Sequence, residues 1–271
     1  MKKLIFPAIM LAMIWPEMLV RAQEGQHWQP KPSTTWQIQL TGEVEPDTVH
    51  PVTMVDLDLF DTAQETIAAL KARGHIVICY FSAGSYEDWR PDASSFPVHV
   101  IGKPLEGWPG EYWLDIRQLG ILKPIMTARL DLASAKGCDG VDPDNVDGYI
   151  NETGFPLDYQ DQLTYNRWLA EEAHKRGLSI GLKNDLDQIG GLVEYFDWAL
   201  NEQCFEYGEC SQLLPFIEAD KAVFGISYTG DPAEICPQAN ALGFSWLFKT
   251  PELDARVIAD CADFDRWSPK K

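Results

Sequence analysis

Residues 137–149 read GCDGVDPDNVDGY. Gly137 closes a preceding amphipathic segment, and a short strand-like run follows and ends in acids. A glycine fits the position after a helix because a left-handed backbone there is cheap only without a Cβ. The same order recurs outward along the chain. Gly74 precedes HIVICYFS (75–82), Gly177 precedes LSIGLK (178–183), and Gly243 precedes FSWLF (244–248). Helix faces lie between them: Ala63, Ile67 and Leu70 in one, and Tyr165, Trp168, Leu169 and Ala173 in another. Thr62 and Glu65 have capping-box spacing at the start of the first. Helix, glycine and apolar strand in repetition is the sequence form of a parallel sheet covered by helices.

Eight main strands are expected, at 36–40, 53–58, 76–81, 139–143, 178–183, 195–201, 221–227 and 244–248. Residues 112–117 form a ninth candidate inside a long connection, 82–120. Eight βα units in a chain of this size predict a single α/β domain, a (β/α)8 TIM barrel, over 36–265. An open doubly wound sheet is the alternative, but no Gly-rich phosphate turn accompanies it. The long connection is expected to lie over a barrel mouth.

The 271-residue chain opens as a secreted precursor. Lys2 and Lys3 precede an apolar stretch, Leu4–Trp15, and Val20-Arg21-Ala22 reads as a cleavage site. Residues 1–22 are therefore expected to be a signal peptide, 23–35 an irregular arm and 266–271 a tail. The apolar run is short for a membrane span, so no stable membrane insertion is expected after cleavage. That reading predicts a secreted or periplasmic protein. The formal charge is −19, and removing the leader's net +2 leaves −21. Such an excess argues against nucleic acid as partner and is compatible with a cationic one. Six cysteines permit disulfides. Cys204–Cys210 and Cys236–Cys261 are the preferred pairs, with Cys79 and Cys138 read as buried thiols. No Cys/His spacing supports zinc.

Polar residues gather at the strands' C-terminal ends: Asp56 and Asp58, Tyr80 and Ser82, Asp142, Asp144 and Asn145. Lys183, Asn184 and Asp185 follow, then Asn201 and Glu202, Ser227 and Tyr228, and Trp246 and Lys249. In a barrel these share the face where active sites are built. Calcium binding does not explain the aspartates, because Val146 falls where an EF-hand needs a ligand. The five histidines sit at no expected strand end on that face, so no metal or other cofactor is expected. Carboxylate chemistry remains. Glycoside hydrolysis needs one ionised and one protonated carboxyl flanking a glycosidic bond. Asp144 and Glu202, two strands apart, can face each other across the mouth. Lys183 between them would keep Asp144 ionised. The apolar run before Glu202 predicts apolar surroundings and a raised acid pKa. Aromatics near strand ends, among them Tyr80, Tyr228 and Trp246, are candidates for stacking on sugar rings.

CYFSAGSYEDWRPD (79–92), WLDIR (113–117), DGVDPDNVDGY (139–149), GLKN (181–184) and ALNEQC (199–204) together resemble glycoside hydrolase family 114. The resemblance spans residues 35–262. Characterised members of that family are endo-α-1,4-polygalactosaminidases. The resemblance implies a (β/α)8 barrel and a retaining hydrolase of α-1,4-linked galactosamine polymers, with Asp144 as nucleophile and Glu202 as acid/base. Such a polymer is cationic, which gives the acidic charge a purpose. Asp142 stands where the family often has the longer Glu. The substrate-contact set expected from strand ends and motifs together is Asp58, Tyr80, Ser82, Asp115, Asp142, Asn145, Lys183, Asn184, Asn201, Tyr228 and Trp246. The chain is expected to act as a monomer. A catalytically silent polysaccharide-binding barrel and a glycosidase for a neutral α-galactan are the competing readings.

Overall fold

The computed structural model describes residues 27–264; the expected signal peptide and C-terminal tail lie outside them. Eight parallel strands form a curled sheet in chain order. They are β1 (Trp36–Gln39), β2 (Met54–Asp58), β3 (Ile76–Ser82), β4 (Gly140–Asp144), β5 (Ser179–Lys183), β6 (Trp198–Glu202), β7 (Val223–Ser227) and β8 (Ser245–Phe248). The architecture is the expected TIM-barrel-like α/β fold. A two-residue strand, Ala259–Asp260, adds antiparallel to β8. The β8–β1 seam is bridged largely by side chains. Trp36 Nε1 donates to Ser245 O, and Lys249 Nζ donates to Ile38 O and Asp254 O.

Apolar residues alternate between two clusters along each strand. Trp36, Ile38, Met54, Ile78, Trp198, Leu200, Phe224, Ile226 and Leu247 fill the barrel. Val55, Leu57, Val77, Cys79, Val141, Ile180, Leu182, Ala199, Val223 and Trp246 face the covering helices. This period of two fixes which strand-end residues enter the mouth. Asp56, Asp58, Tyr80, Asp142, Asp144, Lys183 and Glu202 share the inward parity; Trp246 and Asn201 do not.

Glycines supply room inside the sheet. Gly225 on β7 is registered beside Trp246 on β8, and a Cβ there would lie 1.8 Å from the indole. Gly137, Gly177 and Gly243 each end a helix at positive φ, as their positions predict. The helices are α1 (Gln64–Ala72), α2 (Leu119–Lys136), α3 (Tyr159–Lys175), α4 (Ile189–Leu192), α5 (Cys204–Tyr207), α6 (Leu214–Glu218) and α7 (Pro232–Leu242). The box expected at Thr62 and Glu65 does not form, since α1 begins after Ala63 without a side-chain cap. A capping box forms instead at α3, between Asp158 and Asp161.

The connection 82–120 carries its own three-stranded antiparallel sheet: Ser85–Glu87, Glu111–Leu114 and Ile101–Pro104, in that spatial order. The ninth candidate strand belongs here and not to the barrel. Three disulfides form. Cys204–Cys210 and Cys236–Cys261 agree with the expected pairs. Cys79 and Cys138 are not free thiols but pair with each other. Lateral pairing of β3 with β4 brings them together across 59 positions, a proximity invisible to local pattern.

Candidate active site

β4, β5 and β6 deliver the central groups, and each leaves the barrel through a left-handed residue. Asn145 has φ 59°, Asn184 φ 50°, Asp185 φ 45° and Gln203 φ 69°. Asn and Asp tolerate this region better than other side chains. The turns release the chain sharply, so that the last inward residue of each strand stands at the mouth. Gly84 lets the β3 loop close on β4, because a Cβ there would overlap Asn145 O. Ala83 and Gly84 N–H groups both bond Asp144 O.

Lys183 is the hub. Its Nζ lies 3.6 Å from Asp142 Oδ2, 3.8 Å from Asp144 Oδ1 and 3.9 Å from Glu202 Oε1. The side chain is 2% exposed. Burial alone would depress its pKa, but the three carboxylates together hold it well above the ordinary lysine value. Lys183 is therefore a fixed cation between Asp144 and Glu202.

The two outer carboxyls are oriented separately. Asp144 Oδ2 accepts the Tyr80 hydroxyl at 2.9 Å, and Oδ1 accepts the Asn145 N–H at 2.8 Å. Glu202 Oε1 accepts the Tyr228 hydroxyl at 2.5 Å. Burial and the adjacent carboxylates raise both phenols, so they donate and do not ionise. Asn184 Oδ1 fixes the β6 end by accepting Glu202 N–H at 3.0 Å and Asn201 Nδ2 at 3.2 Å. The apolar setting expected for Glu202 is corrected: its side chain meets Tyr228 and Lys183, because it stands at the mouth, beyond the inward Trp198 and Leu200 that fill the barrel.

Beneath these lie Asp142 and Asp56, both fully buried, with no hydrogen bond to any of their carboxyl oxygens. Burial, with the neighbouring Asp144 working against Lys183, pushes Asp142 up to about 6. Burial and Asp142 raise Asp56 well above the usual range. Asp147, beside Asp144, is pushed up to about 6 by burial first and that charge second.

Other expected contacts fall elsewhere. Asp58 is held by Arg90, through Nη1 at 3.0 Å and Nη2 at 2.7 Å, and it also accepts the Phe60 and Asp61 N–H groups. It is a structural anchor. Asp115 binds Arg117 and Gln118 ahead of α2. Trp246 is 0% exposed, and its Nε1 donates to Ser227 Oγ; outward parity removes it from the mouth. Asn201 is buried and accepts Cys204 N–H. Ser82 acts through Asn145, donating to its Oδ1 at 2.7 Å.

Sequence reasoning missed a polar layer from the insertion. Ser85 joins Ser82, and its hydroxyl donates to Glu111. Glu111 is pushed up to about 7, mainly by burial. Arg129 on α2 bonds Ser82 O and Asp92. Its place on the helix face of Leu122, Ile125, Met126 and Ala133 was a readable signal.

The glycoside hydrolase family 114 model matches residues 18–263. The chain belongs to glycoside hydrolase family 114. This family member is 42% identical to Aspergillus fumigatus Ega3, solved in complex with galactosamine. The match covers 85% of this chain and 96% of that one, with a TM-score of 0.81. The glycoside hydrolase domain of PelA from Pseudomonas aeruginosa shares the fold at 14% identity, covering 83% of this chain and 98% of that domain, with a TM-score of 0.67. Among curated proteins none matches the chain in sequence. As a family 114 member the protein is a glycosidase of polysaccharide-degrading type.

Proposed function

We propose that this glycoside hydrolase cleaves α-1,4-linked galactosamine-containing polysaccharide with retention, Asp144 serving as nucleophile and Glu202 as acid/base. The observation that carries the reading is the Lys183 ammonium, held between the two carboxyls on alternate strands. It lies 3.8 Å from Asp144 Oδ1 and 3.9 Å from Glu202 Oε1, so one buried cation ties the two groups to the same side of the mouth. In the first step Asp144 attacks the anomeric carbon, the glycosidic C–O bond breaks, and Glu202 protonates the leaving oxygen. The Tyr228 hydroxyl occupies Oε1, which leaves Oε2 to carry the proton. In the second step Glu202 takes a proton from water, whose oxygen displaces Asp144.

The substrate class rests on charge and on the relative solved with galactosamine. An ammonium on each sugar would relieve the repulsion among Asp142, Asp144, Asp147 and Glu202. Three disulfides support secretion, and no helix among the described residues is long and apolar enough to cross a membrane. The test is incubation with deacetylated galactosaminogalactan, with NMR of the first-formed anomer. Released oligosaccharides of α configuration are expected. No product, or an initial β anomer, would overturn the substrate or the mechanism respectively.

A further inference from the structure

At the end of the barrel opposite Asp144 and Glu202, three elements bring His27, His174 and Asp197 together. His27 comes from the N-terminal arm, His174 from the last turn of α3, and Asp197 from the residue before β6. His27 Nε2 lies 2.9 Å from Asp197 Oδ1, and His174 Nε2 lies 3.0 Å from Asp197 Oδ2. The imidazoles stack with centroids 4.0 Å apart and planes 9° from parallel. One ligand atom from each of the three residues lies within 4.8 Å of the other two. Around a tetrahedral zinc ion with bonds of about 2.0–2.1 Å, such atoms sit about 3.4 Å apart, and closing the set turns the two imidazoles out of their stack so that both ring planes contain the ion.

We propose that this cluster is a divalent transition-metal site, of zinc type, that staples the N-terminal arm to the barrel floor. Two imidazoles and a carboxylate suit zinc rather than calcium or magnesium, which take oxygen ligands. Asp197 is 2% exposed, and its Oδ2 is held by the Ile180 N–H at 3.0 Å, the kind of outer contact that orients a ligating carboxylate. Gln29 Nε2 lies 3.2 Å from His27 Nε2 and donates to Asp197 Oδ1 at 3.2 Å, so this amide swings aside on binding; the histidines, 20% and 28% exposed, leave room for a water as fourth ligand. On binding, each imidazole carries its proton on Nδ1 and offers the Nε2 lone pair.

The staple has a mechanical consequence. Trp28, next to His27, packs against the apolar cluster that fills the barrel. Two residues later Pro30 O accepts the Ala222 N–H at the start of β7, and the arm then enters β1. Fixing His27 fixes Trp28 and the entry to the β8–β1 seam.

The test uses tag-free, EDTA-treated protein titrated with Zn²⁺ by calorimetry, with melting followed in parallel. One equivalent bound is expected, with a higher Tm under Zn²⁺ and no change under Mg²⁺. His27→Ala and the milder His174→Gln should each weaken binding at least about ten-fold and abolish the Tm response. Absence of saturable one-to-one binding to the wild type overturns the site. So does binding that survives both substitutions at wild-type affinity.

Discussion

Lys183 carries three acids, and its removal exposes how they are balanced. Lys183→Met is expected to destabilise the fold by about 3 kcal/mol or more, as for removal of one partner from a buried ion group. Protonation of Asp142 will limit that loss. Urea unfolding of wild type and variant at pH 7 measures it. The pair above is tested by activity: Asp144→Asn should lower kcat by more than about 10³-fold, as expected for a lost nucleophile. Glu202→Gln should lower it by about 10²–10⁴-fold, as for a general acid. Retained activity in Asp144→Asn would remove Asp144 from the mechanism. Asp144 and Glu202 were legible as a pair because both end inward-facing strands. The misassigned Trp246 sits between inward residues by parity, which the alternation of SWLF could have revealed.

At the scale of elements, the insertion between β3 and α2 decides how rigid the mouth is. Arg90 and Arg129 pin it by ion pairs to Asp58, Glu87 and Asp92. Except for Arg90–Glu87, three residues apart, these contacts join remote positions, so no period in the sequence announces them. The Cys79–Cys138 bridge is of the same kind. It joins two barrel neighbours that are remote in sequence, and its loss constrains the unfolded chain less. Cys79→Ala/Cys138→Ala is expected to cost about 2–5 kcal/mol and to lower Tm, with both remaining bridges intact by mass mapping. An unchanged Tm would mean that the bridge contributes nothing to stability.

Across the whole molecule, buried acids set the pH response. Asp142 and Asp147 are raised to about 6 and Glu111 to about 7. Asp185 rises to about 9 through burial first and Asp147 second. Over these windows the folded state binds more protons than the unfolded one, whose carboxyls titrate near 4. Stability therefore falls as pH rises from about 5 to 8. Tm scans should show that decline, and Asp185→Asn should flatten its upper part. A Tm that climbs through this range would contradict the buried-acid account. The net charge acts on substrate capture. Added salt should raise KM for a cationic polymer with little change in kcat, and equal sensitivity for a neutral galactan would remove charge as the cause.

The sequence by itself determined the strand count, the glycine-ended helices and the acidic strand ends. Each of these depends on a period of two or 3.6 residues, or on one residue's allowed backbone. The tertiary structure alone decided the hub at Lys183, the seam held by Lys249, the Cys79–Cys138 bridge and the outward fate of Trp246. Those depend on which strands lie side by side and on which face of a closed sheet a side chain meets. Asp142 shows both contributions. Its place in a run of acids was plain from the chain, but its near-neutral pKa follows from a barrel interior that excludes water and supplies one lysine for several carboxyls.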